Sequence, residues 1–169
     1  MKKLLYLTSI ALCAIFTSCE KDEIGGTATE ALAGQWYVVY DGVDENGEVT
    51  MEDPFGVGRT LLLTYNTSKN TPNEIFIDDL GNFWEYKVKV NSNASNLTFS
   101  ANDSIDYYNG ITIDITDGKI LKGATHTPSG AVADSIVFYV AFEDDEYIGA
   151  YWDKIRVSGY RYTGLAADE

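Results

Sequence analysis

The 169-residue chain has two cysteines, one histidine, and 12 basic side chains against 26 acidic ones. Each scarcity excludes something. A formal charge of -14 leaves no positive footprint for nucleic acid or an anionic lipid surface, both of which bind through Lys and Arg. The single histidine, His126, sits beside Thr125, Thr127 and Pro128 at an expected turn. A Ser-His-acid hydrolase would have to be assembled around it, with Ser135 and Asp134 as the nearest formal partners. No Gly-x-Ser-x-Gly elbow presents that serine. No catalytic residues are therefore assigned, and the chain is expected not to be an enzyme. The acidic stretch Asp41 to Glu52 carries Gly42 where a calcium loop built around Gly47 needs an aspartate. Neither a metal nor another cofactor is expected.

Long apolar runs are also missing, apart from the first. Lys2 and Lys3 precede a stretch from Leu4 to Phe16 interrupted by Thr8 and Ser9, and Thr17-Ser18-Cys19 follows. The stretch is short of the roughly 20 residues that span a bilayer. Its charged, apolar and small-residue order is that of a secretory signal. Ser18 supplies the small residue that a lipoprotein peptidase wants before the acylated cysteine, although Phe16 stands where leucine is usual. Processing at Cys13 would leave Ala14-Ile15-Phe16 as an apolar stub. Residues 1–18 are thus expected to be a lipoprotein signal peptide and Cys19 the lipidated residue, giving a membrane anchor.

Removal of Lys2 and Lys3 with that signal leaves 10 basic and 26 acidic side chains, a charge of -16. With Cys13 removed and Cys19 acylated, no disulfide can form within one chain. A packed core must supply the stability, and a single domain of roughly 130 residues can bury one. Residues 19–33 read as a flexible acidic linker, beginning with Glu20-Lys21-Asp22-Glu23. That cluster resembles the tag that exports Bacteroidota lipoproteins to the outer face of the outer membrane. The expected location is the cell envelope, on the outer membrane, with its surface and periplasmic faces both open.

After the linker no helical stripe is found. Twelve Tyr, seven Phe and three Trp accompany a spacing of two between apolar residues, which favours β structure. Ile111, Ile113 and Ile115 share one face against Thr112, Asp114 and Thr116; Trp84, Tyr86, Val88 and Val90 oppose Glu85, Lys87 and Lys89. Turns are expected at Gly81-Asn82, Asp117-Gly118 and Pro128-Ser129-Gly130, and a further strand at Tyr147 to Trp152. The expected fold is all-β, an antiparallel up-and-down barrel of about 8–10 strands over residues 34–165, with a tail at 166–169. Closure removes the sheet edges that invite aggregation.

Gly34-Gln35-Trp36 resembles the G-x-W motif that opens lipocalins and their calycin relatives. In them the Trp packs across the closed end of the barrel and an Arg from the last strand lies over its ring. Arg161 falls on the apolar side of the last strand, with Ile155, Val157 and Gly159, so Trp36 and Arg161 are expected to form such a latch. Gly159 to Gly164, together with Asp134-Ser135-Ile136 before a long strand, resembles a family of Bacteroidota lipoproteins described as lipid-binding putative hydrolases. The resemblance implies a lipocalin-like barrel.

The leading functional expectation is a lumen that binds a small apolar or amphipathic ligand, lined by Trp84, Tyr86, Ile113 and Phe138. The alternative is a cell-surface interaction or carbohydrate-binding module in which Tyr107, Tyr160 and Tyr162 stack on a protein or glycan partner. Closed lumen against exposed aromatic face separates the two.

Overall fold

The structure is a computed structural model, and it describes residues 26–168. The expected signal peptide, Cys19 and the acidic cluster lie outside the described residues. Nine strands run in sequence: β1 (Gly34–Val43), β2 (Val49–Glu52), β3 (Thr60–Asn66), β4 (Glu74–Asp78), β5 (Lys87–Asn93), β6 (Thr98–Ile105), β7 (Thr112–His126), β8 (Val132–Phe142) and β9 (Lys154–Arg161). All neighbours are antiparallel, and β1 pairs with β9 over Trp36–Arg161 to Val43–Lys154. Eight strands thereby form a closed barrel, and β2 extends the sheet beside the far end of β1. No α-helix is present among the described residues.

The two-residue period places alternate side chains inside, and these are large. Trp36, Tyr40, Leu62, Tyr86, Ile113 and Phe138 have no surface accessible to water. An eight-stranded barrel is just wide enough for side chains to fill, and here rings and branched chains do so.

Three expected turns or strands differ. Asp117-Gly118 lies inside β7, where the pairing with β8 shifts between Thr116 and Lys119 and Asp117 takes a φ of 54°. It is a bulge, and Gly118 fits because the Phe99 ring and carbonyl occupy the space of a Cβ. The connection around Gly81-Asn82 is longer than a two-residue turn. Residues 83–86 leave the strand because Asp79 gathers their backbone N–H groups, so β5 begins only at Lys87. Tyr147 to Trp152 is a turn closed by Gly149 N–H donating to the Trp152 carbonyl.

One end of the barrel is sealed. The turn at Thr29 to Ala33 puts Leu32 under the core with no exposure. Trp36 Nε1 donates to Thr64 Oγ1 at 2.9 Å, and that hydroxyl donates to the Leu32 carbonyl at 2.6 Å. Arg161 lies over the Trp36 ring, 4.4 Å from its centroid, while Nη1 donates to the Ala33 carbonyl at 2.8 Å and Nε to Asp134 at 3.2 Å. Thr29 and Leu32, in the segment expected as linker, are therefore core residues. Asp168, in the expected tail, is equally buried. Its carboxylate accepts from Ser129 N–H and the Thr163 hydroxyl, and its carbonyl accepts from the Tyr160 hydroxyl.

Candidate functional site

The other end of the barrel is a mouth lined with rings. Three loops distant in sequence build it, and a buried or turn-capping aspartate shapes each. Asp79 is fully buried: Oδ1 accepts from Gly81 and Tyr86 N–H, and Oδ2 from Phe83 and Trp84 N–H, at 2.8 to 3.1 Å. This wraps residues 79–86 into a tight loop that turns Phe83 and Trp84 toward the barrel axis. Asp53, at a φ of 40°, accepts from Val57 and Gly58 N–H and holds Phe55 at the tip of its loop. Asp145 accepts from Tyr147 N–H and Trp152 Nε1, while Asp144 accepts from Trp84 Nε1 at 2.9 Å and ties two loops together.

The rings form one contiguous cluster. Tyr40 stacks on Phe83 with centroids 3.9 Å apart, and Trp84 on Phe142 at 4.8 Å. Phe55 meets Phe83, Trp84, Tyr147 and Trp152 edge-on at 5.3 to 5.9 Å. Such contacts add about 0.5 to 1.5 kcal/mol each beyond the area they bury. The outer members stay open to solvent: Phe55 is 37% exposed, Tyr147 45% and Tyr151 59%. Amphipathic rings at a rim, backed by carboxylates, suit an apolar or ring-faced ligand better than an anion.

Burial pushes the Asp79 carboxyl above its ordinary range, against the four N–H groups that favour its charge. Among the described residues no group of three His, Cys, Asp or Glu is arranged to hold a metal ion.

The four residues expected to line a lumen are divided by the structure. Tyr86, Ile113 and Phe138 point inward but have no accessible surface, so they border no ligand-sized cavity. Their rings and branches pack on one another and on Phe99 and Phe142. Around them, aromatic and branched side chains fill the barrel. Trp84, half-buried, belongs to the mouth. Phe55, Phe83, Tyr147 and Trp152 complete that mouth from separate loops, and no periodicity in the sequence brings them together. Of the tyrosines named for stacking, Tyr107 is 59% exposed, Tyr160 is buried beneath Asp168, and Tyr162 packs edge-on against Tyr37. The Ser135 hydroxyl donates to the Gly159 carbonyl, and Asp134 accepts from Lys122, Gly123 N–H and Arg161. Both serve the β7–β8–β9 seam at the sealed end.

The profile of a family described as "lipid-binding putative hydrolase" matches residues 21–166. The chain belongs to that family. No curated protein matches it significantly. In this member of the lipid-binding putative hydrolase family, the barrel is the eight-stranded closed form, and exposed rings of Phe55, Tyr147 and Tyr151 stand at the mouth.

Proposed function

We propose that the chain is a membrane-anchored envelope lipoprotein whose barrel binds a small apolar or amphipathic ligand at the aromatic mouth. The observation that carries this reading is the ring cluster of Phe55, Trp84, Tyr147 and Trp152, with Phe55 and Tyr147 exposed, at the end of the barrel opposite the Trp36–Arg161 latch. Family membership supports lipid as the ligand class. The described chain starts beside the sealed end, where Gly26 to Ala33 packs. A tether through Cys19 would join the barrel at its sealed end, opposite the mouth.

Two measurements test this. The full chain recovered from membranes should carry acyl mass at Cys19, and Cys19→Ala should release it to the soluble fraction; acylated Cys19→Ala protein in membranes would refute the anchor. Native mass spectrometry of the chain from residue 19 onward, carrying Cys19→Ala, should show a co-purifying lipid that Phe55→Ala with Trp84→Ala removes. A lipid retained by that double variant would place binding elsewhere.

A glycan or protein partner is the second reading, favoured by the outer wall of β3 and β4. There Tyr107 meets Phe76 edge-on at 5.2 Å, Phe76 meets Tyr65 at 5.6 Å, and Lys87 lies over both inner rings. Tyr107→Ala separates the readings, since it should leave lipid binding at the mouth unchanged.

A further inference from the structure

Directly beneath the mouth lies a feature that neither packing nor the aspartate loops explain. Tyr40 from β1, Thr60 from the start of β3 and Tyr86 from the 79–86 loop turn their hydroxyls toward one another inside the barrel. None of the three oxygens has a hydrogen-bond partner of proper geometry, and none is accessible to water. The Tyr40 hydroxyl lies within hydrogen-bond reach of both Thr60 and Tyr86, but none of these contacts is well directed. Even drawn together into a chain, three hydroxyls leave one terminal O–H over, and the nearby Asp79 carboxylate is already occupied by four backbone donors. A buried polar group left unpaired costs about 1 to 3 kcal/mol, and native cores rarely keep three together. Phenylalanine would fill either tyrosine position without that cost.

Resting on the lipid-binding reading, we infer that Tyr40, Thr60 and Tyr86 form the head-group site of the bound amphiphile and take a neutral hydrogen-bonding head, a hydroxyl or an ester carbonyl. The apolar tail lies along the rings above. Phe83, stacked on Tyr40, and Phe55, above Phe83, separate the hydroxyls from solvent. Phe55 is half-exposed on a turn whose Gly56 and Gly58 have positive φ and nothing near them, so it can swing without displacing a core side chain. When Phe55 swings and Phe83 slides off Tyr40 with it, a polar head reaching Tyr40 finds two phenols and a threonine to donate to and accept from.

The chemistry selects against an anion. Burial pushes the ionisation of both tyrosines to higher pH, and the Asp79 charge pushes it further. They stay protonated donors at neutral pH, and the field that disfavours a phenolate there equally disfavours a carboxylate or phosphate head. The rim repeats the bias with Asp53, Asp144 and Asp145.

The experiment uses the chain from residue 19 onward with Cys19→Ala, which keeps every described residue. Trp84 and Trp152 stand in the mouth, so bromine on a ligand tail quenches their emission. The probes are 11-bromoundecanol, 11-bromoundecane-1-sulfonate and 1-bromoundecane. The alcohol should bind at least about tenfold more tightly than the sulfonate or the alkane, one to two hydrogen bonds' worth. Tyr40→Phe with Tyr86→Phe should abolish that preference, leave alkane binding unchanged and unfold no earlier than the parent. Thr60→Val should weaken the alcohol alone, and stands in if the double variant does not fold. Equal binding of alcohol and alkane by the parent, or an alcohol preference that survives the substitutions, overturns the inference and leaves lipid binding intact. No quenching by any probe overturns both.

Discussion

Gly34 has no side chain because Arg161 occupies the place where one would begin. A Cβ there would collide with the guanidinium Nη1 and stand 3.3 Å from the Trp36 ring. The glycine of the G-x-W motif is thus explained by the stack two residues along, which needs bare backbone for the arginine to reach both the indole and the Ala33 carbonyl. Gly34→Ala should push Arg161 off Trp36 and cost about 1 to 3 kcal/mol, the usual range for overpacking. In an Arg161→Ala background the same change should cost about 0.5 kcal/mol or less. Urea unfolding of the four proteins measures both, and an equal cost in the two backgrounds would separate Gly34 from the latch.

Trp36 is wholly buried and hydrogen-bonded through Thr64 to Leu32, so its truncation removes a core ring and unseals the barrel end together. Trp36→Ala should cost about 3 to 5 kcal/mol, and Arg161→Ala less, because Arg161 keeps part of its surface in solvent. A double-mutant cycle between them should show coupling of about 0.5 kcal/mol or more. Strict additivity would mean that the 4.4 Å contact carries no energy.

Closure of the barrel is legible in the sequence because Trp84 to Val90, Ile111 to Thr116 and the last strand alternate, and alternation commits one face of each to the interior. Arg161 over Trp36 is readable for the same reason: a charge on the inward parity of the last strand needs a partner. Asp117-Gly118 misleads because a bulge and a tight turn demand the same residue types. Trp84 misleads because its alternation with Tyr86 and Val88 continues unbroken, while Asp79, five residues earlier, collects its N–H and pulls it off the strand. Side-chain parity says which way a residue points and not how much room it finds. Tyr86, Ile113 and Phe138 do face inward, and together with Phe99 and Phe142 they leave no lumen. The mouth is the least legible part, since its rings come from loops at 53–58, 79–86 and 143–153 that meet only after closure.

Asp168 links the C-terminal turn to the 127–131 turn, and its ionisation should make part of the stability pH-dependent. Burial pushes its carboxyl up, but hydrogen bonds from Thr163, Ser129 and Thr127 outweigh this and hold it at about 2, below the ordinary 3.8. A depressed folded value stabilises the fold above the unfolded value and stops doing so as pH falls through the folded one. The contribution should be complete above about pH 5 and fade between about pH 4 and 2. Asp168→Asn should therefore unfold at a lower temperature than the parent at pH 7, with the gap narrowing through that acid window. A gap that stays constant down to pH 2 would mean that the charge plays no part.

Asp79 tests whether the mouth is held by its aspartate loop or by ring packing alone. Asparagine has the same shape but one acceptor oxygen, so two of the four N–H donors from Gly81, Phe83, Trp84 and Tyr86 would face an amide NH2. Bonds to a charged group contribute about 1.5 to 3 kcal/mol each. Against their loss stands a relief, because burial raises the Asp79 carboxyl and the charge is unwelcome there. Two bonds lost outweigh one charge removed, and the net cost of Asp79→Asn should be about 2 to 4 kcal/mol at pH 7. The loss should be local before it is global. Trp84 should come away from Phe142 and its emission should shift to the red, while Trp36 at the sealed end stays protected. Near-ultraviolet circular dichroism and acrylamide quenching at low temperature read this directly. If Asp79→Asn leaves both signals at parental values, the rings alone build the mouth, and the buried carboxylate is there for another reason.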